Sequence, residues 1–424
     1  MAFALQQHPA QRRAFLMVVS AQFFSSLADN ALLIAAIGLL LERHAAPWMT
    51  PTLRLFFYLS YVLLAAFAGA VADAIPKGRV IFGTNLVKLA GCGLLLLEVH
   101  PLLAYALIGL GAAAYSPAKY GILPELLAPE QLVAANAWIE VSTLLSILFG
   151  IGLGSFLMAP STLLPQIAGT PASNATTLIA SVYLIALLCA AAIPKSKISN
   201  SAALPPLHTL LHDFRRSFVI LWRDPDTRVS LAVTTLFWAV SATLQFIILR
   251  WGTQTLQLPL AQAALLQVGV ALGMMVGAIA AARWIPLRCA QKVLPLGIAI
   301  GASVLGLTGV TQLWIAVVLL FIAGALAGLL VVPMNALLQH RGQLLMHSGQ
   351  SIAVQNFNES LASLVLLAVY GLLLYVDAPL LPTIVGLGLF VSLTMLWITA
   401  HYWANRGSRA SDTADNAEGM VSAN

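Results

Sequence analysis

The chain has 424 residues, of which 60% are apolar and only 8% are Asp, Glu, Lys or Arg, and its mean hydropathy is +0.90. In soluble domains about a quarter of the residues are charged, so this composition excludes a soluble globular protein. The net charge of +6 does not indicate nucleic-acid binding, because the cations lie scattered between apolar blocks and form no basic patch.

Cysteine usage excludes two further classes. The three cysteines, Cys92, Cys189 and Cys289, form no CxxC pair and have no histidine at ligand spacing. The sequence therefore predicts neither a disulfide framework nor a zinc site, and we expect no metal and no cofactor.

Apolar blocks of about twenty residues recur along the chain, and each is long enough to cross a hydrocarbon layer of about 30 Å as a helix. The first block follows Arg12 and Arg13, as in an export signal, but it runs far beyond a signal core and carries Asp29, so we interpret it as a retained span. Twelve spans are predicted, at residues 14–41, 53–75, 79–98, 101–122, 133–158, 175–194, 229–251, 261–284, 288–309, 312–338, 350–375 and 379–403.

The distribution of lysine and arginine predicts the orientation of these spans. Sixteen of the 21 cations lie in segments on the side of the N-terminus, whereas three, Arg43, Arg54 and Arg250, lie on the opposite side. By the positive-inside rule, both termini are expected in the cytoplasm.

Composition divides the chain into four segments. We predict a six-helix half at 1–194, a cytoplasmic linker with an amphipathic helix at 195–228, a second six-helix half at 229–403, and a disordered cytoplasmic tail at 404–424. The linker is rich in Ser, Ala and Pro before apolar residues recur at helical spacing among arginines, and the tail is polar.

The two halves also resemble each other. Pro117 in the fourth span matches Pro333 in the tenth, and the fifth and eleventh spans open with an amide followed four residues later by Glu140 and Glu359. Such a repeat indicates two related six-helix halves with a pseudo-two-fold axis along the membrane normal. The fold class predicted is thus an all-α integral membrane bundle.

Charged side chains inside the spans are candidates for function, because each costs on the order of 2.5 to 3.5 kcal/mol at mid-bilayer. Asp29 shares a helix face with Gln22, Ser25 and Ser26, which predicts a polar cavity along the first span. A structural ion pair or a hydrogen-bonded packing role is the alternative.

Lys119 follows the helix-perturbing Pro117 by two residues, where exposed carbonyls and a cation suit an anionic group. The alternative is that Lys119 extends to the headgroups at the end of its span. Lys88 in the third span has no polar stripe that we recognise, so a structural role is favoured there.

Three further patterns remain open. Glu140 and Glu359 lie near the start of their spans, which favours a gate or loop anchor over substrate contact. The seventh span has a polar stripe that either contacts a solute or packs between helices, and the eighth has glycines spaced by four that favour close helix packing. The stripe is Thr234, Trp238, Ser241 and Gln245, and the glycines are Gly269, Gly273 and Gly277.

The loop after the second span resembles the signature loop of the major facilitator superfamily. Gly69 is followed four residues later by Asp73 and then by a basic turn with Lys77 and Arg79, which lies two residues further on than is usual. The residues predict a gate in which Asp73, Lys77 and Arg79 pair across the cytoplasmic gap between helices.

Four longer strings resemble the bacterial lysophospholipid transporters of that superfamily. They are Ala28 to Leu33 (ADNALL), Gly111 to Leu123 (GAAAYSPAKYGIL), Val332 to Gln339 (VPMNALLQ) and Ile352 to Asn356 (IAVQN). The resemblance covers all twelve spans and implies the major facilitator fold. It implies a function too: returning lysophosphatidylethanolamine and related lysolipids from the outer to the inner leaflet of the bacterial inner membrane, where a separate acyltransferase and acyl-carrier-protein synthetase restores the missing chain.

The resemblance implies a substrate-facing role for Asp29, Asn30 and Lys119. It does not extend to the seventh span, where Gln245 stands in place of the family's arginine and Arg250 follows five residues later, about 140° around the helix. The full set expected to contact substrate is Gln22, Asp29, Asn30, Tyr115, Lys119, Trp238 and Gln245, and the gating set is Asp73, Lys77, Arg79, Glu140 and Glu359.

The expected mechanism is alternating access in which the headgroup crosses a polar cleft and the acyl chain stays in a lateral apolar opening. Asp29 would bind the ammonium and Lys119 the phosphate, and the two would pair with each other in the empty protein. The rival within the superfamily is a proton-coupled drug exporter, although the fifth span lacks that group's Gly-Pro pair. A lipid-modifying enzyme is disfavoured, because no nucleophile, zinc or P-loop motif occurs.

Overall fold

The computed structural model describes residues 9–45, 49–158, 171–194 and 206–422. The described residues form helices joined by short connections, and twelve helices are long and apolar enough to cross a membrane, which confirms the predicted fold class. The helices are α1 (Pro9–Glu42), α2 (Met49–Ala74), α3 (Lys77–Leu96), α4 (Pro101–Gly121), α5 (Leu123–Leu126), α6 (Leu132–Leu157), α7 (Pro171–Ala191), α8 (Leu207–Arg223), α9 (Pro225–Gln254), α10 (Leu260–Trp284), α11 (Pro295–Gly306), α12 (Leu313–Leu345), α13 (Ser348–Tyr375) and α14 (Leu380–Ser422).

Prolines and short polar side chains set the helix boundaries. α4, α9 and α11 begin with a proline, which has no N–H to leave unpaired at a first helical position. Asp224 caps α9 by accepting a 3.0 Å hydrogen bond from the Thr227 amide. Within the predicted ninth span, a 3₁₀ segment, Leu287–Val293, precedes α11 because Pro295 interrupts the helical bonding.

The two halves pack around a shared interior. α1, α2, α3, α4, α6 and α7 contact one another, as do α9 to α14, and the halves meet mainly where α2 packs on α13 and α6 packs on α10. These two contacts are equivalent under the predicted pseudo-two-fold relation. We call the end of the bundle where α1 begins the base; α3, α6 and α13 also begin there.

The amphipathic helix α8 lies at the base and packs against the bundle. Phe214 stacks edge-on against Phe357 of α13 with 5.5 Å between ring centroids, and Phe218 and Trp222 pack around the buried Leu221. Leu211 stays 55% exposed, so only part of the apolar face is covered by protein. The predicted linker residues 195–205 lie outside the described residues.

The last helix differs from the sequence prediction. α14 continues to Ser422, beyond the end of the predicted twelfth span at residue 403. No proline follows Pro382, and the alanines and charged residues of this segment are compatible with helical backbone. The four-segment division of the chain stays a prediction.

The glycines of α10 allow two helices to approach at backbone distance. A methyl group added at Gly273 would lie 2.0 Å from the Phe321 carbonyl oxygen of α12, and one at Gly277 would lie 2.0 Å from that of Ala325. Gly269 is less tightly packed, since its nearest neighbour atom would be 3.8 Å away. Gly273 and Gly277 therefore serve the close packing predicted from their spacing.

This close approach predicts the effect of a single methyl group. Gly277→Ala should lower the free energy of unfolding by about 1 to 3 kcal/mol, because the backbone of α12 would have to move. The control is Gly371→Ala in α13, where an added methyl group meets no atom within 4 Å. Thermal unfolding in detergent measures both; a control that is destabilised as much as Gly277→Ala would contradict the packing argument.

Candidate functional site

A polar cavity of about 450 Å³ lies between the two halves. All seven residues predicted to contact substrate line it, and α1, α4 and α9 supply them: Gln22, Asp29, Asn30, Tyr115, Lys119, Trp238 and Gln245. The structure also places Lys88 in the wall, which the sequence analysis had assigned to a structural role. The cavity therefore brings the predicted residues together, with one addition.

Asp29 is ion-paired, but its partner is Lys88. The Lys88 ammonium lies 2.7 Å from Asp29 Oδ2 and 3.0 Å from the Ser25 hydroxyl, and the Tyr183 hydroxyl donates to Asp29 Oδ1. Lys88 is 1% exposed, with its ammonium 4.9 Å from the centre of the Tyr115 ring. The expected pair of Asp29 with Lys119 is therefore wrong, because the carboxylate is already bound to a cation on α3.

A weak signal in the third span pointed to Lys88. Thr84 and Asn85 precede it by four and three residues and share its helix face. In the structure both bond to carbonyls of their own helix, at Val80 and Ile81, so only Lys88 reaches the neighbouring helix. Gly111 of α4 makes room for it, since an added methyl group there would lie 2.9 Å from Lys88 Cγ.

Lys119, in the last turn of α4, is buried inside the bundle. It is 7% exposed, and its ammonium lies 4.0 Å from the centre of the Tyr120 ring. In the parts of the chain that the structure describes, no carboxylate comes within 4.0 Å of it. The alternative that Lys119 extends to the headgroups is thus excluded, and its charge faces the cavity.

Two carboxylates share the floor of this space with Lys119. A chamber of about 270 Å³, which we call the floor pocket, is lined by Lys119, Glu140 and Glu359 together with residues from both halves. Glu140 is 3% exposed, and Glu359 accepts a 2.7 Å hydrogen bond from Gln355. Both glutamates lie more than two turns into their helices, so a role in anchoring a loop has no support in their contacts.

The polar stripe of α9 faces the cavity as well. Trp238, Ser241 and Gln245 line the cavity wall, and the Gln267 side chain donates a 3.1 Å hydrogen bond to the Gln245 carbonyl. Arg250 does not replace the missing arginine. Its guanidinium bonds at 3.5 Å to the Ala378 carbonyl in the connection between α13 and α14, at the end of the bundle opposite the base.

The base is closed by a carboxylate that caps a helix of the other half. Asp73, at the end of α2, accepts hydrogen bonds of 2.7 and 2.8 Å from the backbone amides of Gly349 and Gln350. These amides belong to the first turn of α13, where the helix dipole favours a negative charge. The signature loop therefore joins the halves through backbone groups.

The basic residues of the same loop behave differently from the prediction. Lys77 lies 3.5 Å from Asp73 and also bonds to Glu125, so its ion pairs stay within one half. Arg79 is exposed and forms no ion pair among the described residues, which makes its predicted place in the gate wrong. The reason is geometric, because Arg79 lies about 200° around α3 from Lys77.

A second layer of hydrogen bonds crosses the halves just inside the base. Asn136 and Gln339 exchange two bonds of 2.8 Å through their side-chain amides. The Ser116 hydroxyl donates to Asn356 at 3.3 Å, and that of Ser348 donates to the Gly121 carbonyl at 3.0 Å. These groups are buried, so opening the base would leave them without partners until water entered.

The Asp29 and Lys88 pair predicts a specific pattern of stability. Lys88→Met alone should destabilise the protein by about 3 kcal/mol, near the lower end for a broken buried pair, because Tyr183 still supports the carboxylate. Asp29→Asn combined with Lys88→Met should recover part of that loss, since no buried charge remains unpaired. A double-mutant cycle of thermal unfolding in detergent measures the coupling, and additive effects would contradict the pair.

The cap on α13 predicts a change in accessibility at the base. Asp73→Ala should open the base more often, by about two- to thirtyfold, because a lost helix cap costs about 0.5 to 2 kcal/mol. The measurement is the maleimide labelling rate of Ser348→Cys, a buried position, in a protein whose three native cysteines are replaced. Arg79→Ala is the control, and equal labelling rates in both variants would rule out the capping role.

Comparison with known proteins identifies the family. A sequence model of the Major Facilitator Superfamily matches residues 18–367. The chain is 38% identical over 400 residues to the lysophospholipid transporter LplT of Photorhabdus laumondii subsp. laumondii, which covers 94% of this chain and 98% of the relative. It is 40% identical over 376 residues to the protein of that name from Yersinia pestis (strain Pestoides F), covering 88% and 90% of the two chains.

Solved structures agree on the fold. The transporter FucP in an outward conformation aligns with a TM-score of 0.72 at 13% identity, over 93% of this chain and 99% of its own. The human organic anion transporter MFSD10 aligns with a TM-score of 0.70 at 17% identity, over 93% and 100%. The chain therefore belongs to the major facilitator superfamily and, within it, to the family of the relatives named LplT.

Proposed function

We propose that this protein moves lysophospholipids, lysophosphatidylethanolamine among them, from the outer to the inner leaflet of a bacterial inner membrane. Its relatives at about 40% identity carry the name lysophospholipid transporter over nearly their whole length. The lipid leaves the protein chemically unchanged, and a separate acyltransferase and acyl-carrier-protein synthetase restores its second chain. Membrane lipids surround the bundle and supply the substrate.

The observation that carries this proposal is the charge arrangement in the floor pocket. Lys119 has no carboxylate within ion-pair distance in the described chain, while Glu140 and Glu359 line the same space. A lysophosphatidylethanolamine head carries one phosphate and one ammonium group. Lys119 binds the phosphate, and the two glutamates accept the ammonium, so each buried charge gains a partner when the lipid enters.

This assignment revises the role expected for Asp29. Its carboxylate is occupied by Lys88 and Tyr183, so Asp29 holds the polar wall in place and does not bind the ammonium directly. The substrate-contacting set keeps the other residues that line the cavity. They are Gln22, Asn30, Tyr115, Lys119, Trp238 and Gln245, joined by Glu140 and Glu359.

We infer the orientation of the protein and the direction of transport from the distribution of lysine and arginine and from the closed base. Sixteen of the 21 lysines and arginines lie in segments predicted on the side of the N-terminus, and by the positive-inside rule this supports a cytoplasmic base and cytoplasmic termini. Because hydrogen bonds between the halves close the base in this structure, the lipid head enters from the outer side. The contacts of Asp73 with α13 and of Asn136 with Gln339 form the gate that must open for release on the inner side, and Lys77 supports Asp73 from within its own half.

The second candidate function is proton-coupled export of a cationic drug. The buried carboxylates of Glu140 and Glu359 favour it, since such an exporter needs a protonatable acid in its cavity. Thermal protection distinguishes the two candidates. Protection by lysophosphatidylethanolamine without protection by a cationic dye supports lipid transport, and the reverse supports the exporter.

The phosphate contact predicts the consequence of removing one charge. Lys119→Met should lower lysophosphatidylethanolamine transfer by at least about tenfold, because a hydrogen bond to a charged group contributes about 1.5 to 3 kcal/mol. Leaflet-resolved uptake into proteoliposomes, read by albumin extraction of labelled lipid, measures the rate. Lys292→Met, which removes the same charge from an exposed position, should leave the rate unchanged. Full activity of folded Lys119→Met would reject the proposal.

A second lysolipid tests the phosphate contact and the ammonium contact separately. Lysophosphatidylglycerol carries the phosphate but no ammonium, so Lys119→Met should impair its transfer as well. Glu359→Gln should impair lysophosphatidylethanolamine more than lysophosphatidylglycerol. Equal losses for the two lipids would show that the glutamate does not bind the ammonium.

A further inference from the structure

The C-terminal half contains a second cavity of a different chemical character. It has a volume of about 250 Å³, and α9, α10, α11, α12 and α14 form most of its wall. The side chains away from the interface between the halves are apolar; Leu244, Met274, Ile300, Leu320 and Val391 are examples. We call this space the apolar chamber. The twelve-span architecture alone does not require it, and a tightly packed core would have filled it.

The apolar chamber adjoins the polar cavity and the floor pocket. Thr143 and Trp238 line all three spaces, and Ser241, Gln245 and Gln267 are shared by the chamber and the polar cavity. The polar residues of the chamber are therefore gathered on the side where it meets the other two. α9 forms this boundary, because its polar stripe faces the cavity while Phe237 and Leu244 line the chamber.

We propose that the apolar chamber binds the single acyl chain of the lysolipid while its head occupies the floor pocket. The inference rests on the proposed function and replaces the lateral opening expected from the sequence. A head bound at Lys119 places the first methylenes near Trp238, which lines both the floor pocket and the chamber. Each methylene left among the polar groups and water of the cavity costs about 0.8 kcal/mol, so the chamber is favoured over the cavity as the site of the chain.

The arrangement makes Trp238 a positioning residue at the junction. Its ring packs edge-on against Phe237 with 5.3 Å between centroids, which fixes it beside the chamber wall. A flat aromatic ring presents an apolar face to the chain and a polar N–H to the headgroup side. The lipid is thereby oriented, with the head between the halves and the chain inside the C-terminal half.

Photocrosslinking of the wild-type protein tests the location of the chain directly. The probe is lysophosphatidylethanolamine with a diazirine at the end of a palmitoyl chain, and labelled peptides are mapped by mass spectrometry. We expect labels on chamber residues such as Ile300 and Leu320. Labels confined to membrane-exposed positions such as Leu265 and Val276, 65% and 50% exposed, would overturn the proposal.

Filling the chamber provides a functional test with a matched control. Ala323→Phe places an aromatic ring in the chamber, and Ile322→Phe adds one at the neighbouring, 45% exposed position of the same helix. Uptake of palmitoyl lysolipid by Ala323→Phe should fall about fourfold for each methylene displaced, whereas a hexanoyl lysolipid should be spared. The control should transport both lipids at the wild-type rate.

The outcomes separate this inference from the function on which it rests. Absence of uptake and of crosslinking for every lysolipid in the wild-type protein would reject lysolipid transport itself. Wild-type uptake with equal losses for both chain lengths in folded Ala323→Phe, or with no loss for either, would reject the chamber alone. Ala271→Phe, which changes a lining residue of α10, replaces Ala323→Phe should that variant fail to fold, with the same expected selectivity.

Discussion

A charged group inside a hydrocarbon layer is stable only beside a partner or water, and the whole interior of this bundle follows from that constraint. In the N-terminal half, two buried charges are partners of each other: Lys88 and Asp29 form an ion pair, and Ser25 and Tyr183 supply further hydrogen bonds to it. Lys119 has no carboxylate within ion-pair distance in the described part of the chain. Its charge faces a cavity, so solvent or a ligand supplies the missing partner. The Asp29 and Lys88 pair forms part of the cavity wall, whereas Lys119 presents its charge to the cavity, where the proposed function places the lipid phosphate.

Two helices, α6 and α13, connect the contacts that close the base to the floor pocket. On α6, Asn136 bonds across the halves and Glu140 lines the floor pocket one turn later. On α13, Asn356 accepts a bond across the halves and Glu359 lines the same pocket three residues later. A ligand that binds Glu140 and Glu359 therefore contacts α6 and α13 about one turn away from the residues that hold the base closed. In α6 the amide of the repeated pattern, Asn136, is itself the residue that bonds across the halves; in α13 the corresponding Gln355 bonds to Asn335 and Glu359 of its own half, and its neighbour Asn356 makes the contact between halves.

The sequence predicted what depends on local composition and missed what depends on pairing between distant segments. Hydropathy located the twelve spans, and helical periodicity identified the cavity residues Gln22 and Asp29 of α1 and Trp238 and Gln245 of α9, whereas Asn30 was expected from the family resemblance alone. The partner of Asp29 was missed because Lys88 lies 59 residues away, and its neighbours Thr84 and Asn85 bond only to their own helix. The cap that Asp73 places on α13 involves backbone amides, which leave no residue signature on the accepting side.

The two halves share one architecture, but the N-terminal half supplies most of the polar groups around the polar cavity and the C-terminal half supplies most of the apolar chamber. Charges and hydroxyls of the polar cavity come largely from α1, α3 and α4, whereas helices of the other half form most of the wall of the apolar chamber. Under the proposed function, the lipid head is held between Lys119 of one half and Glu359 of the other, while the chain lies mainly against the C-terminal half. Rotation of the halves would then carry the chain with its own half and leave the head at the seam. The lipid could thus change leaflet without its chain crossing the polar wall.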